Sequence, residues 1–272
     1  MSSIKYRPDI DGLRALAVIS VVIYHYFPKV LPSGFIGVDI FFVISGFLIT
    51  NILLKDIISN QFTIWRFYKR RVLRIFPALF TVLFCTILFG WYVLTPNEFQ
   101  TLGKHVTGGA GFISNIILWL ESGYFDIEAS YKPLLHLWSL GIEEQFYLIF
   151  PFALLIIFRT GRSFLIISCL ILASFLLNLI LINSNQDAVF YSTATRSWEL
   201  LIGSLAATFY TETSTLNTIR KTTNLSLIGF LLIIISLCFI EEYNFPGWQA
   251  ALPSLGAIFI LVSDKDSFVN RL

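Results

Sequence analysis

Residues 35–54 read FIGVDIFFVISGFLITNILL, and Asp39 is the one charged side chain among them. At about 1.5 Å of rise per residue, a helix of that length covers about 30 Å, the hydrocarbon thickness of a bilayer. The stretch therefore reads as a membrane-crossing helix. Comparable apolar runs occupy 13–31, 72–94, 137–158, 164–183, 193–210, 225–241 and 247–263. The composition agrees, with 56% hydrophobic and 13% charged residues, where soluble domains carry about 25% charged. A mean hydropathy of +0.76 over 272 residues leaves too little polar surface for a water-soluble fold. The expected fold is all-α, a polytopic transmembrane helix bundle forming a single domain over 1–272.

A ninth apolar stretch, 103–120, is short and carries Gly103, Gly108, Gly109 and Gly111. Whether it crosses is decided by where the cations fall, because cytoplasmic loops collect Lys and Arg. If it does not cross, the cytoplasmic side receives Lys5, Arg7, Arg14, Lys55, the Arg66 to Arg74 cluster, Arg159, Arg162, Arg220, Lys221, Lys265 and Arg271. Only Lys29, Lys104 and Lys132 then lie outside, with Arg196 inside a span. If it does cross, the later basic turns move to the wrong side. The charges predict about eight crossings, a cytoplasmic N-terminus and a re-entrant or interfacial segment within a long outer stretch from about Thr95 to His136. The run Leu13 to Phe27 resembles a signal sequence, but it contains His25 and no small-residue cleavage site follows, so it reads as a retained anchor. Cys85, Cys169 and Cys238 lie in separate apolar runs with no metal spacing and read as small buried hydrophobes. The chain stops at Leu272 just after Asp264, Lys265 and Asp266, which reads as a truncation.

Ionisable groups inside the spans are the chemical clue, since each costs about 2.5–3.5 kcal/mol at mid-bilayer on insertion scales. Arg14 and His25 are eleven residues apart, about three helical turns and 16 Å, so both project from nearly one face. Taken singly, Arg14 snorkels to headgroups and His25 caps the outer end. Together they give one stripe of the helix a polar character. Asp39 needs a partner, and a cation on the first span is the obvious one, whereas Ser45, Gly46 and Thr50 read as close-packing positions. The cluster Arg66, Lys69, Arg70, Arg71 and Arg74, interleaved with Trp65, Phe67 and Tyr68, suits anionic lipid or a phosphorylated soluble ligand equally well. Glu143 and Glu144 follow His136 at the start of a span and point about 100° apart, so at most one faces a given cavity. Arg196 and Glu199, three apart, either neutralise each other or contact substrate. No phosphate-cradling glycine loop, HExxH or GxSxG motif is present.

Five blocks in register resemble the acyltransferase-3 family of membrane O-acyltransferases, the OafA-like O-acetylases. They begin with Ile10-Asp-Gly-Leu-Arg-Ala-Leu-Ala-Val, in which Arg14 and His25 form an Arg-x10-His pair, and Gly37-Val-Asp-Ile-Phe-Phe-Val-Ile-Ser-Gly-Phe-Leu-Ile. Arg71-Val-Leu-Arg-Ile-Phe-Pro-Ala, Leu135-His-Leu-Trp-Ser-Leu-Gly-Ile-Glu-Glu-Gln-Phe-Tyr-Leu and Thr195-Arg-Ser-Trp-Glu-Leu-Leu-Ile-Gly complete the set. The resemblance implies a ten-helix core with a re-entrant segment after the third helix, of which the last two helices are absent here. It implies a multi-pass protein of the bacterial inner membrane that moves an acyl group, usually acetyl, from cytoplasmic acetyl-CoA to a glycan hydroxyl. The expected acceptor is lipopolysaccharide O-antigen, exopolysaccharide or peptidoglycan. His25 is then the base or acyl carrier, oriented by Asp39, Glu143 or Glu144, while Arg14, Arg71 and Arg74 hold the donor. Arg196, Glu199 and His136 are candidates for acceptor contact. Partners are acyl-CoA, a glycan and the bilayer, with no metal and no nucleic acid expected. The competing reading is a membrane carrier or flippase for a polar or lipid-linked substrate. Such a protein wants repeat halves or paired broken helices, which this chain lacks.

Overall fold

A computed structural model describes residues 7–122, 132–212 and 224–263 of the chain. Every regular element among them is helical. In order they are α1 (Pro8–Tyr26), a 3-10 turn (Gly34–Ile36), α2 (Gly37–Ile58), α3 (Ile64–Val93), α4 (Pro96–Ala110), α5 (Ser114–Glu121) and α6 (Leu137–Arg159). There follow α7 (Ser163–Leu181), α8 (Gln186–Tyr191), α9 (Thr193–Glu212), α10 (Leu225–Phe239) and α11 (Ala251–Val262). By length and composition, 34–58, 64–93, 137–159 and 163–181 are long and apolar enough to cross a membrane. The other expected crossings fall on α1, α9, α10 and α11, which are shorter or more polar. The charged turn at 264–266 and the pair Arg220 and Lys221 lie outside the described residues.

The chain packs as two compact units. The first comprises residues 1–54, 162–186 and 197–272, and the second 55–161 and 187–196. In the first unit, Ile10, Leu13 and Ala17 of α1 pack with Val43 and Phe47 of α2, Ala207 of α9 and Ile260 of α11. Glycines let the backbones touch. A Cβ on Gly46 would lie 1.8 Å from the Leu200 carbonyl oxygen, and one on Gly203 would lie 2.1 Å from that of Val43. The small position at Gly46 thus serves close packing, as expected from the sequence. Arg7, read as a cytoplasmic marker, is paired with Asp9 and donates to the Leu261 carbonyl at 2.9 Å, closing the end of α11.

In the second unit Leu79 and Leu83 of α3 pack with Leu102 of α4, Leu134 and Leu137. The helix α3 begins at Ile64, so the cation cluster expected in a loop forms its first turns. The stretch 103–120 is not one helix either. The helix α4 starts earlier, where Thr95 and Glu98 form a reciprocal capping box, and Thr95 holds the Glu98 carboxyl below its ordinary range. The chain then breaks at 111–113 before the eight residues of α5. Gln145 makes the break tolerable: its Nε2 donates to the Phe112 carbonyl at 3.0 Å and to Asn115 Oδ1 at 2.9 Å. Irregular backbone at membrane depth requires such protein partners.

The three cysteines depart from expectation, since all are exposed rather than buried. They lie on the outer faces of α3, α7 and α10, where a weakly polar thiol is as compatible with lipid as with a core.

Candidate active site

In the first unit, α1 buries Ile10, Leu13, Ala17 and Ser20 on one side. At 100° per residue, Arg14 and His25 point within about 20° of each other and roughly a quarter turn away from that buried stripe. Accordingly His25 is exposed, its ring edge-on to Tyr24 at 5.2 Å. The Arg14 side chain is 35% exposed and lies 3.9 Å from Asp11. The two side chains therefore share a polar face of α1 that the unit's own core does not cover. Asp39 sits on the first turn of α2, fully buried, where the helix N-terminus favours a carboxylate. That turn is pressed onto α1, because a Cβ on Gly37 would meet the Ala17 carbonyl oxygen at 2.4 Å and Val21 at 2.9 Å. Glu199, on the part of α9 in this unit, is also fully buried.

In the second unit the acidic pair is already engaged. Glu144 accepts from Arg71 at 2.6 Å, both side chains being 16% exposed. The Arg71 guanidinium also lies over the Tyr147 ring at 3.7 Å, and the Tyr147 hydroxyl donates to Glu143 at 3.2 Å. Arg71 was expected to meet a phosphate, yet the structure gives it a carboxylate and an aromatic face. Sequence spacing has no means of showing this, because the partners are 73 residues apart. Arg74 is exposed and makes no ion pair among the described residues, so of these two cations it is the one open to an outside partner. His136 precedes α6 without a side-chain cap bond and is exposed. Arg196 is fully buried, its guanidinium 5.9 and 5.8 Å from the rings of Trp138 and Phe190, which pack on each other at 4.5 Å.

Two polar sets escaped the sequence reading. One is the Asn115–Gln145–Thr193 network described in part above, where Asn115 also donates to the Tyr191 carbonyl at 3.0 Å. The other places Glu121 3.2 Å from buried His105 and 3.3 Å from Lys132. Only the sum of a polar residue and an apolar neighbourhood marked them, and that signal is shared by many residues here.

A family profile described as an acyltransferase domain matches residues 7–267. The chain belongs to the acyltransferase-3 family. A Haemophilus influenzae protein of no stated function is 36% identical over 235 residues, 82% of this chain and 96% of its own length. The Bacillus subtilis "putative peptidoglycan O-acetyltransferase YrhL" is 36% identical over 98% of this chain, and the Staphylococcus aureus "O-acetyltransferase OatA" is 35% identical over 99%. The acyltransferase-3 chain described here spans only 45% and 43% of those two proteins. No solved structure matches it.

Proposed function

We propose that this acyltransferase O-acetylates a hydroxyl of a cell-envelope saccharide, drawing the acetyl group from acetyl-CoA on the cytoplasmic side of the bacterial inner membrane. The observation that carries the reading is the Arg14 and His25 stripe of α1, a base and a fixed cation left open by the packing of their own unit. The names of the relatives support O-acetyl transfer, and one of them points to peptidoglycan as acceptor.

His25 removes the acceptor hydroxyl proton as the oxygen bonds to the thioester carbonyl carbon. The carbon–sulfur bond breaks, and the departing thiolate takes the proton back from the imidazolium. Arg14 offsets negative charge on the donor side. Glu144 serves Arg71 and Glu143 accepts from Tyr147, so we assign Asp39, on the turn seated against Ala17 of α1, to balancing the Arg14 charge rather than to orienting the imidazole. Mass spectrometry of envelope glycans tests the catalytic step. His25→Ala should insert normally and lose the acetyl mass; unchanged acetylation in that variant overturns the assignment of His25.

A further inference from the structure

The end of α2, the start of α3 and the end of α6 line an open-mouthed cavity of about 590 Å³ within the second unit. That volume lies in the range of small-molecule sites, about 300–1,000 Å³. Its walls include the rings of Phe62, Trp65 and Phe158, together with Asn60, Thr63 and Arg159. Three features set it apart from a packing defect. Trp65 is 74% exposed, so its ring is open to a stacking partner. The Arg159 side chain makes no ion pair or hydrogen bond among the described residues, whereas Arg70 and Arg71 are bonded to Asp56 and Glu144, each at 2.6 Å. The Thr63 hydroxyl makes no capping bond to α3. An uncommitted guanidinium beside aromatic faces and free hydrogen-bonding groups suits a ligand with a phosphate and a flat heterocycle, because guanidinium grips phosphate bidentately and rings stack on bases.

We infer that this cavity binds a phosphorylated adenosine, namely the nucleotide end of the acyl-CoA donor. This rests on the donor assigned under the proposed function and relocates the main nucleotide contact from Arg71 to Arg159 and Trp65. The cavity also joins the turn at 59–63 to the end of α6, the two turns that the charge pattern places on the cytoplasmic side. Three aromatic walls favour a nucleotide over an anionic lipid headgroup, which needs no stacking surface.

The test uses the full native-length protein in lipid nanodiscs. Adenosine 3′,5′-bisphosphate should bind the wild type, and Arg159→Ala and Trp65→Ala should each weaken binding by about tenfold. With acetyl-CoA as donor, both variants should raise KM by a similar factor and leave kcat within about twofold. With S-acetylpantetheine, which lacks the nucleotide, both should match the wild type, which also shows that they fold. Equal bisphosphate affinity in wild type and variants overturns the cavity assignment alone. Variants that keep nucleotide affinity but lose phosphatidylglycerol, counted by native mass spectrometry, make it a lipid site and overturn it as well. A wild type that neither binds CoA nor transfers acetyl overturns the donor reading and this inference together.

Discussion

Arg71 and Glu144 form an ion pair largely withdrawn from solvent, and the value of such a pair lies in its integrity. Each charge loses hydration, so removing one partner leaves the other stranded at a cost of about 3–5 kcal/mol, while replacing both by apolar groups is often neutral. Arg71→Ala is therefore expected to lower the melting temperature in detergent by roughly 6–20 °C. Arg71→Met combined with Glu144→Leu should recover most of that. A single variant as stable as wild type, or a double variant no better than the single, disproves a coupled pair. Arg71→Lys is expected to rescue only partly, because an ammonium lacks the flat guanidinium that covers the Tyr147 ring. The helical period already aligns Arg14 with His25, since both lie on α1. The partners of Arg71 are hidden in the sequence because they come from a second helix, and helical periodicity says nothing about contacts between helices.

The contact between α2 and α9 is set by what is missing from Gly46 and Gly203. Lipid offers helices no hydrophobic drive to associate, so close backbone approach supplies the attraction. A methyl on Gly46 overlaps the Leu200 backbone at 1.8 Å, and neither helix has a flexible side chain to give way there. Gly46→Ala should cost about 3 kcal/mol or more and lower the melting temperature by roughly 6–12 °C. Gly12→Ala, where a Cβ meets nothing within 4 Å, is the matched control and should be neutral or slightly stabilising. Equal melting of the two variants would show that the crossing is not tight. Prolines within α3 and α6 add a related device. Pro151 withholds the N–H that the Tyr147 carbonyl would otherwise receive, and the Tyr68 hydroxyl donates beside it, to the Leu148 carbonyl at 2.8 Å. Hydropathy placed the helices well but misplaced their ends. The amphipathic first turns of α3 resemble a polar loop until the backbone shows them helical, and the expected start of the last helix near 247 is a series of turns.

Large apolar side chains cover the outside of α3 and α7, including Phe80, Phe84, Phe89, Leu165 and Leu172. Water would not tolerate that surface, but hydrocarbon does, and the hydropathy of the chain announces it. The expected sidedness rests on cations gathered at alternate chain reversals, and cysteine labelling tests it. The stretch 103–120 reads from its glycines as re-entrant or interfacial, but glycine content does not say where a helix breaks, and the break falls at 111–113. In a background with Cys85, Cys169 and Cys238 replaced, single cysteines at Asn60 and Gly161 should resist an impermeant thiol reagent applied to intact cells, while those at Asn97 and Ser184 should react. Labelling at Gly161 from outside would invert the second half of the chain and remove the re-entrant reading. The Gln145 amide bears on how such a protein is made. The donor that quiets the bare oxygen at Phe112 arrives 33 residues later in synthesis, so residues 96–121 are made with α3 to pack on but without the amide that satisfies their break. Their settling waits on α6, and the order in which the chain is made becomes the order in which it is fastened.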